Sequence, residues 1–106
     1  MSGVSYPYAY WYETVAASQT AQVLGATATS GAKGDYIHRL IISVVTAASA
    51  TVTLIDGSTS IVILTGGATL VPGIYSVELN MAAATGPWKI TTGSGVTVIA
   101  VGIFTA

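Results

Sequence analysis

Apolar and polar residues alternate with a period of two along much of the chain. The clearest case is the segment from Ile74 to Asn80, where the alternation sets Tyr75, Val77 and Leu79 against Ser76, Glu78 and Asn80. Successive side chains of a β-strand point to opposite faces, so the pattern predicts a strand with one buried and one solvated face. Pro72-Gly73 predicts the turn that precedes this strand.

A glycine-containing turn between two β-branched segments predicts a hairpin over residues 51–65. Residues 56–60 are the predicted five-residue loop, which places Leu54 opposite Val62. A shift of one residue would place Leu54 opposite Ile61 and lose the match between apolar faces. The first register is therefore the expected one.

A second hairpin is predicted over residues 88–104, with Gly93-Ser94-Gly95 as its turn. In this arrangement Ile90 lies opposite Val98. The indole N–H of Trp88 then needs an acceptor, because a buried donor without a partner is costly.

The longest predicted strand, residues 36–46, has apolar side chains on both faces. One face carries Tyr36, Leu40, Ile42 and Val44, and the other carries Ile37, Ile41 and Val45. Both faces are therefore expected to be buried. A shorter strand is predicted at residues 22–24.

The composition agrees with a fold built from strands. Val and Ile together number 22 against six Leu, and 15 Thr add further β-branched side chains, which favour strands over helices. The predicted strands number about seven, or eight if the N-terminal segment adds one. The expected fold is all-β: residues 13–106 form a single antiparallel β-sandwich domain that is jelly-roll-like, and residues 1–12 form an extended N-terminal arm.

The low charge of the chain narrows the range of partners. Charged residues make up 7% of the sequence, hydrophobic residues 52%, and the formal net charge is −1, so a homo-oligomer is expected. Three basic residues are too few to neutralise a run of phosphates, which argues against nucleic acid. No apolar segment is long enough for a transmembrane helix and no secretory signal is visible, so no membrane partner is expected.

No residues have the spacing of a catalytic or metal-binding motif. The acids are dispersed at Glu13, Asp35, Asp56 and Glu78. His38 is the only histidine, and Asp35 would point away from it on a strand, so a hydrogen-bonded structural histidine is expected. The chain has no cysteine, and its paired glycines precede neither a lysine nor a predicted helix. We expect neither enzymatic activity nor a cofactor or metal.

Aromatic residues are concentrated near the N-terminus. Five of the nine lie within seven positions: Tyr6, Tyr8, Tyr10, Trp11 and Tyr12. Tyr and Trp are common interface anchors because they combine large area with a polar tip, so these five are the predicted protein-contact residues. Pro7 fits an extended arm that contacts another subunit, whereas alternating tyrosines also fit an edge strand packed on the domain itself. The arm is the favoured interpretation, and a stacking platform for sugars or bases is third.

Several motifs resemble small structural proteins of tailed bacteriophages: Gly34-Asp35-Tyr36-Ile37-His38-Arg39-Leu40-Ile41-Ile42, Ile55-Asp56-Gly57-Ser58, Gly86-Pro87-Trp88-Lys89-Ile90-Thr91-Thr92-Gly93 and residues 96–104. The resemblance covers about two-thirds of the chain. It implies a small β-sandwich or jelly-roll domain that decorates or cements the capsid, as a dimer or trimer. It assigns no functional residues, and the tyrosine-rich arm lies outside it.

The expected function is therefore that of a bacteriophage virion structural protein, a head decoration or cement protein that bridges subunits. Its expected partner is the major capsid protein or another virion protein, with a homotrimer favoured. Its expected location is the virion, assembled in the host cytoplasm. The alternative is a tail-associated receptor-binding or carbohydrate-binding β-sandwich module.

Overall fold

A computed structural model describes residues 11–25 and 34–104, which form eight β-strands. In chain order these are β1 (Trp11–Val15), β2 (Gln22–Val23), β3 (Tyr36–Val44), β4 (Val52–Asp56), β5 (Thr59–Leu64), β6 (Gly73–Ala82), β7 (Trp88–Thr92) and β8 (Val96–Ile103). Within the described ranges the helical structure is one 3₁₀ turn at Ala47–Ser49, and no helix has the length and apolar character needed to span a membrane. The prediction of an all-β fold is confirmed.

The strands pair in a nested order around the connection between β4 and β5. β4 pairs with β5, β3 with β6, β2 with β7 and β1 with β8, always antiparallel. Two further antiparallel pairings, β3 with β8 and β4 with β7, complete two sheets. The first sheet has the strand order β1-β8-β3-β6 and the second has β2-β7-β4-β5. The turn between β4 and β5 is thus the centre of the whole strand arrangement.

The two sheets bury their inward side chains in one shared core. Its fully buried large residues come from both sheets and from the residue after β2: Val15, Ile37, Leu40, Ile42, Val96 and Val98 from the first, Val52, Leu54 and Ile90 from the second, and Leu24. Alternate residues of β7 and β8 face this core, as the period of two requires. The arrangement is therefore sandwich-like, with the apolar face of each sheet covered by the other.

The predicted hairpin between β7 and β8 is wrong, because the two strands lie in different sheets. Gly93-Ser94-Gly95 crosses from the second sheet to the first instead of reversing within one sheet. Its backbone bonds go to neighbouring loops: Gly93 N–H donates to the Thr51 carbonyl at 2.9 Å, and the Gly95 carbonyl accepts from Val45 N–H at 2.8 Å. In a sequence, two buried strands joined by a short glycine loop look the same whether the loop forms a hairpin within one sheet or connects two sheets.

The hairpin of β4 and β5 is confirmed, and Val52 pairs with Leu64 as the five-residue loop implies, but the predicted register is wrong from Thr53 to the turn. Leu54 pairs with Ile61, and the loop is only Gly57-Ser58 because Asp56 already pairs with Thr59. Gly57 has a φ of 62°, the left-handed conformation that two-residue hairpin turns require. A bulge opposite the step from Val52 to Thr53, at the end of the strand pair away from the turn, accounts for the one-residue change of register.

β3 contains a bulge at His38 that changes the predicted faces of its first residues. The pairing with β8 passes from Ile37 directly to Arg39, so His38 is an extra residue in the ladder. One inserted residue shifts the alternation by one, and Ile37 therefore joins Leu40 in the core instead of lying on the opposite face. The outward face of β3 is only half-buried at Ile41, so the prediction that both faces are buried is wrong.

Other predicted features are confirmed. β2 lies within residues 22–24, and the inward side chains of β6 pack against the core as the alternation predicts: Tyr75, Val77 and Leu79. Buried Trp88 donates its indole N–H to the backbone carbonyl oxygen of Asp35 at 2.9 Å. This bond ties β7 of the second sheet to the start of β3 in the first.

Replacing Gly57 with alanine is expected to destabilise the fold by about 1–2 kcal/mol. Alanine is unfavourable at a φ of 62°, and its Cβ would lie 2.2 Å from Thr85 Oγ1, so Thr85 would have to move. Urea unfolding followed by circular dichroism measures the change. Gly67→Ala is the matched control, because a Cβ there would meet no atom within 4 Å. Equal stability of the two variants would contradict a tightly constrained central turn.

Candidate functional site

β1 carries the last two residues of the predicted arm along the edge of the first sheet. Trp11 and Tyr12 both pair with β8 of the same chain, so the first sheet includes these two residues of the predicted arm. Their side chains nevertheless remain 71% and 74% exposed. The other three predicted contact residues lie outside the described residues: Tyr6, Tyr8 and Tyr10.

Trp11 and Tyr12 are both lining residues of an open apolar depression on the first sheet. It has a volume of about 500 Å³ and is lined by Trp11, Tyr12, Ile41, Ile99 and Val101. Ile41 and Ile99 are opposite residues of the central strands β3 and β8, so these strands supply the aliphatic floor. The edge strand β1 supplies the aromatic rim. We call this surface the aromatic depression.

Two of the five predicted contact residues, Trp11 and Tyr12, line the depression, whereas the floor residues Ile41, Ile99 and Val101 are not among the predicted contact residues. Ile99 and Val101 alternate with the buried Val98 and Ala100, so they face outward once β8 covers the core. The sequence shows this alternation, but the predicted hairpin places β8 beside β7. Only the correct sheet assignment places these two side chains beside Tyr12.

An ion pair lies beside the aromatic depression. Arg39, which is opposite Val101 in the strand register, places Nη2 3.7 Å from Glu78 Oε2. Its Nη1 also donates to Ser76 Oγ at 3.2 Å. Both charged side chains are exposed, so the pair contributes less than about 1 kcal/mol to stability. Its two charges cancel beside the apolar floor.

His38 belongs to a polar cluster at the bulge of β3. Asn80 Oδ1 accepts a hydrogen bond from the Tyr36 hydroxyl at 2.9 Å and lies 2.8 Å from His38 Nδ1. Asn80 has a φ of 51°, a left-handed conformation that asparagine tolerates better than most residues. The expectation of a hydrogen-bonded histidine at a strand position is confirmed, and the cluster orders the irregular section of the sheet.

Glu13 connects the edges of the two sheets. Its Oε2 accepts a hydrogen bond from Gln22 Nε2 at 2.9 Å, and its Oε1 accepts one from Gly25 N–H at 2.7 Å. Because Glu13 lies on β1 and Gln22 on β2, the carboxylate joins strands of different sheets. Hydrogen bonds to an ionised acceptor are stronger than neutral ones, which suits this bridging role.

Asp56 fastens the central turn to the loop between β6 and β7. Its carboxylate accepts hydrogen bonds from the backbone N–H groups of Ala84, Thr85 and Gly86 and from the Thr85 hydroxyl, at 2.9–3.3 Å. Desolvation alone would raise the pKa of Asp56, but these hydrogen bonds to the ionised form outweigh it and hold the pKa below its ordinary value. The carboxylate is therefore a structural acceptor for a neighbouring loop.

Three of the four acids do not converge on a common site. Glu13, Asp56 and Glu78 have separate partners on different elements. In residues 11–25 and 34–104, no group of three His, Cys, Asp or Glu side chains could hold a metal ion. The candidate site in these residues is the aromatic depression.

No protein-family model matches the sequence, and no curated protein matches it either. The resemblance to phage structural proteins therefore stays a prediction from sequence motifs.

Asp56 is expected to make stability depend on pH in the acid range. Its pKa is lower in the folded state than the ordinary 3.8, so its contribution is complete above that value and is lost as the pH falls through the folded-state pKa. Asp56→Asn should lose about 1 kcal/mol at neutral pH and show a weaker acid dependence than the wild type. Urea midpoints between about pH 2 and pH 7 measure both effects.

Glu78→Gln is the control for Asp56→Asn, because the exposed ion pair of Glu78 contributes little. Its midpoint should follow that of the wild type at every pH. Identical acid dependence in Asp56→Asn and the wild type would show that the Asp56 hydrogen bonds do not stabilise the fold.

Proposed function

We propose that this chain is a bacteriophage virion structural protein, a head decoration or cement protein that stabilises the capsid by bridging subunits. The observation that carries the proposal is the aromatic depression, a concave apolar surface with Trp11 and Tyr12 exposed at its rim. Exposed apolar patches with aromatic anchors are typical of protein contact sites, because burial of such side chains drives association. The proposed partner is the major capsid protein or another virion protein.

The proposed fold is a jelly roll. It is supported by the nested pairing of eight strands into two four-stranded antiparallel sheets, with orders β1-β8-β3-β6 and β2-β7-β4-β5. Jelly rolls are eight-stranded double sheets found in viral capsid proteins, among other classes. A fold by itself does not assign a function, so the strand order adds to the argument from the surface.

The proposed N-terminal arm comprises residues 1–10, since Trp11 and Tyr12 of the predicted arm pair with β8. Its point of attachment is the rim of the aromatic depression, where Trp11 and Tyr12 are exposed. Ten extended residues span at most about 35 Å, which is enough to reach a neighbouring subunit. The arm and the depression would then form one contact surface, with Tyr6, Tyr8 and Tyr10 as additional anchors.

The proposed mechanism is burial of uncharged surface between subunits. A standard contact buries about 800 Å² per partner, and repetition around a symmetric shell multiplies a modest affinity for each site. Few charged side chains would have to lose their hydration, because charged residues are only 7% of the chain. The proposed protein is a homo-oligomer in the virion, with a trimer favoured.

A carbohydrate-binding or receptor-binding module of the phage tail is the second candidate. The exposure of Trp11 and Tyr12 favours it, since sugars stack on accessible aromatic rings. The aliphatic floor of Ile41, Ile99 and Val101 fits a protein partner better, because sugar hydroxyls need polar side chains beside the ring. A glycan array distinguishes the two candidates: binding that is lost in Trp11→Ala would favour the tail module.

The Trp11→Ala/Tyr12→Ala double variant is expected to lower affinity for virions of the encoding phage by about tenfold or more. The variant removes two exposed anchors, so its thermal stability should stay within about 0.5 kcal/mol of the wild type. Co-sedimentation of tagged protein with virions stripped of the native copies measures binding. Thr59→Ala is the control, because it shortens an exposed residue on the second sheet.

Two results would overturn the proposal: virions that contain no copy of the chain by mass spectrometry, or equal binding by the double variant and the wild type. A truncation that lacks residues 2–10 tests the arm separately. It keeps β1 intact, whereas a truncation through Tyr12 would remove two of the five residues of this strand. The domain is expected to fold without the arm and to bind virions more weakly.

A further inference from the structure

One end of the molecule is formed by four loops that contain no charged residue. These loops are residues 16–21, 45–51, 65–72 and 93–95, which join β1 to β2, β3 to β4, β5 to β6 and β7 to β8. We call this surface the uncharged end. Its loops comprise about two dozen residues, all at least partly exposed except Ala50 and Gly95. A standard interface uses about 20–30 residues on each side.

The described charged residues lie toward the opposite end. In the first sheet, the pair Arg39 and Glu78 lies farther from the uncharged end than Leu40 does. Glu13 lies level with Leu40, because both residues are opposite Ala100. In the second sheet, Asp56 and Lys89 lie at or next to the central turn. The half of each sheet adjoining the uncharged end has no Asp, Glu, Lys or Arg.

Among the described residues, the most exposed aliphatic side chains are found at the uncharged end. Val45 and Val71 lie in its loops, and Ile74 lies at the adjoining start of β6, with exposures of 75%, 68% and 75%. Val44 pairs with Gly73, so these three side chains are at neighbouring ends of β3 and β6. Exposed apolar groups of this kind mark an interaction surface.

Hydrogen bonds between the loops hold the uncharged end in one conformation. Ser18 N–H donates to the Gly93 carbonyl and Gly67 N–H to the Ala47 carbonyl, each at 2.9 Å. Ser18 has a φ of 61°, a conformation that is unfavourable without such support and that concentrates at functional sites. A surface ordered in advance loses little conformational entropy on binding.

We propose that two or more copies of this chain associate through the uncharged end. The inference rests on the homo-oligomer part of the proposed function and assigns its interface. A second copy is a partner that presents the same charge-free apolar surface, so the contact would bury no unpaired charge on either side. It would also keep the charged residues of both copies in solvent, at the outer ends of the assembly.

The test is the mass of the purified full chain by sedimentation equilibrium at about 1–100 µM, where specific interfaces of this size associate. The wild type is expected to exceed the monomer mass of 10.7 kDa, as a dimer or a trimer. Val45→Glu/Val71→Glu should weaken self-association by about a hundredfold, because like charges would face each other. Ile103→Glu is the matched control, since Ile103 is 38% exposed and pairs with Tyr36 at the opposite end of the first sheet.

A charge-swap experiment guards against a variant that merely misfolds. Ile74→Glu and Ile74→Lys should each be monomeric alone, and mixing the two should restore the oligomer if the surface contacts its own copy. A wild type that stays at 10.7 kDa, or a Val45→Glu/Val71→Glu variant that associates like the wild type, would overturn the inference.

Binding to virions separates this inference from the proposed function. A monomeric variant that still binds stripped virions would support the self-association surface. A variant that keeps the wild-type mass but loses virion binding would show that the uncharged end contacts a virion protein, which overturns the inference and leaves the capsid role in place. A wild type that oligomerises through this end but never binds virions would contradict the capsid role alone.

Discussion

The tight turn at Gly57-Ser58 is the constraint around which the strands are arranged. β4 and β5 meet there, and the pairs β3–β6, β2–β7 and β1–β8 nest outside them in order. A two-residue turn needs the left-handed conformation that glycine supplies, and the neighbouring Asp56 binds the loop that leads from β6 to β7. The turn thus sets the register of one hairpin and anchors the loop that brings β7 beside β4.

The few charged residues have mainly structural partners at the end that contains this turn. Glu13 joins β1 to β2, Asp56 holds residues 84–86, and Arg39 pairs with Glu78 across β3 and β6. The opposite end lacks such groups, so its loops are held by backbone hydrogen bonds to one another. This division leaves two different surfaces: an apolar depression with aromatic residues at its rim, and a rigid loop surface without charge.

The two surfaces lie toward different ends of the first sheet, so both can be occupied together. Trp11 is opposite Gly102 near one end of β8. Val45 N–H donates to the carbonyl oxygen of Gly95, which directly precedes the other end of β8. Copies that associate through the uncharged end would keep their aromatic depressions available for a different protein. A small domain could therefore bridge subunits of a larger assembly, because each copy adds one site and several weak sites act together.

The sequence by itself determined the strand content, the alternation of β6, the hairpin of β4 and β5, and the need of Trp88 for an acceptor. These features depend on neighbouring residues and on the cost of burying an unpaired donor. The tertiary structure decided that β7 and β8 lie in different sheets, that His38 forms a bulge, and that Ile99 and Val101 join Tyr12 at one surface. Those outcomes depend on contacts between distant segments, because local periodicity shows that a strand has a buried face but not which sheet covers it.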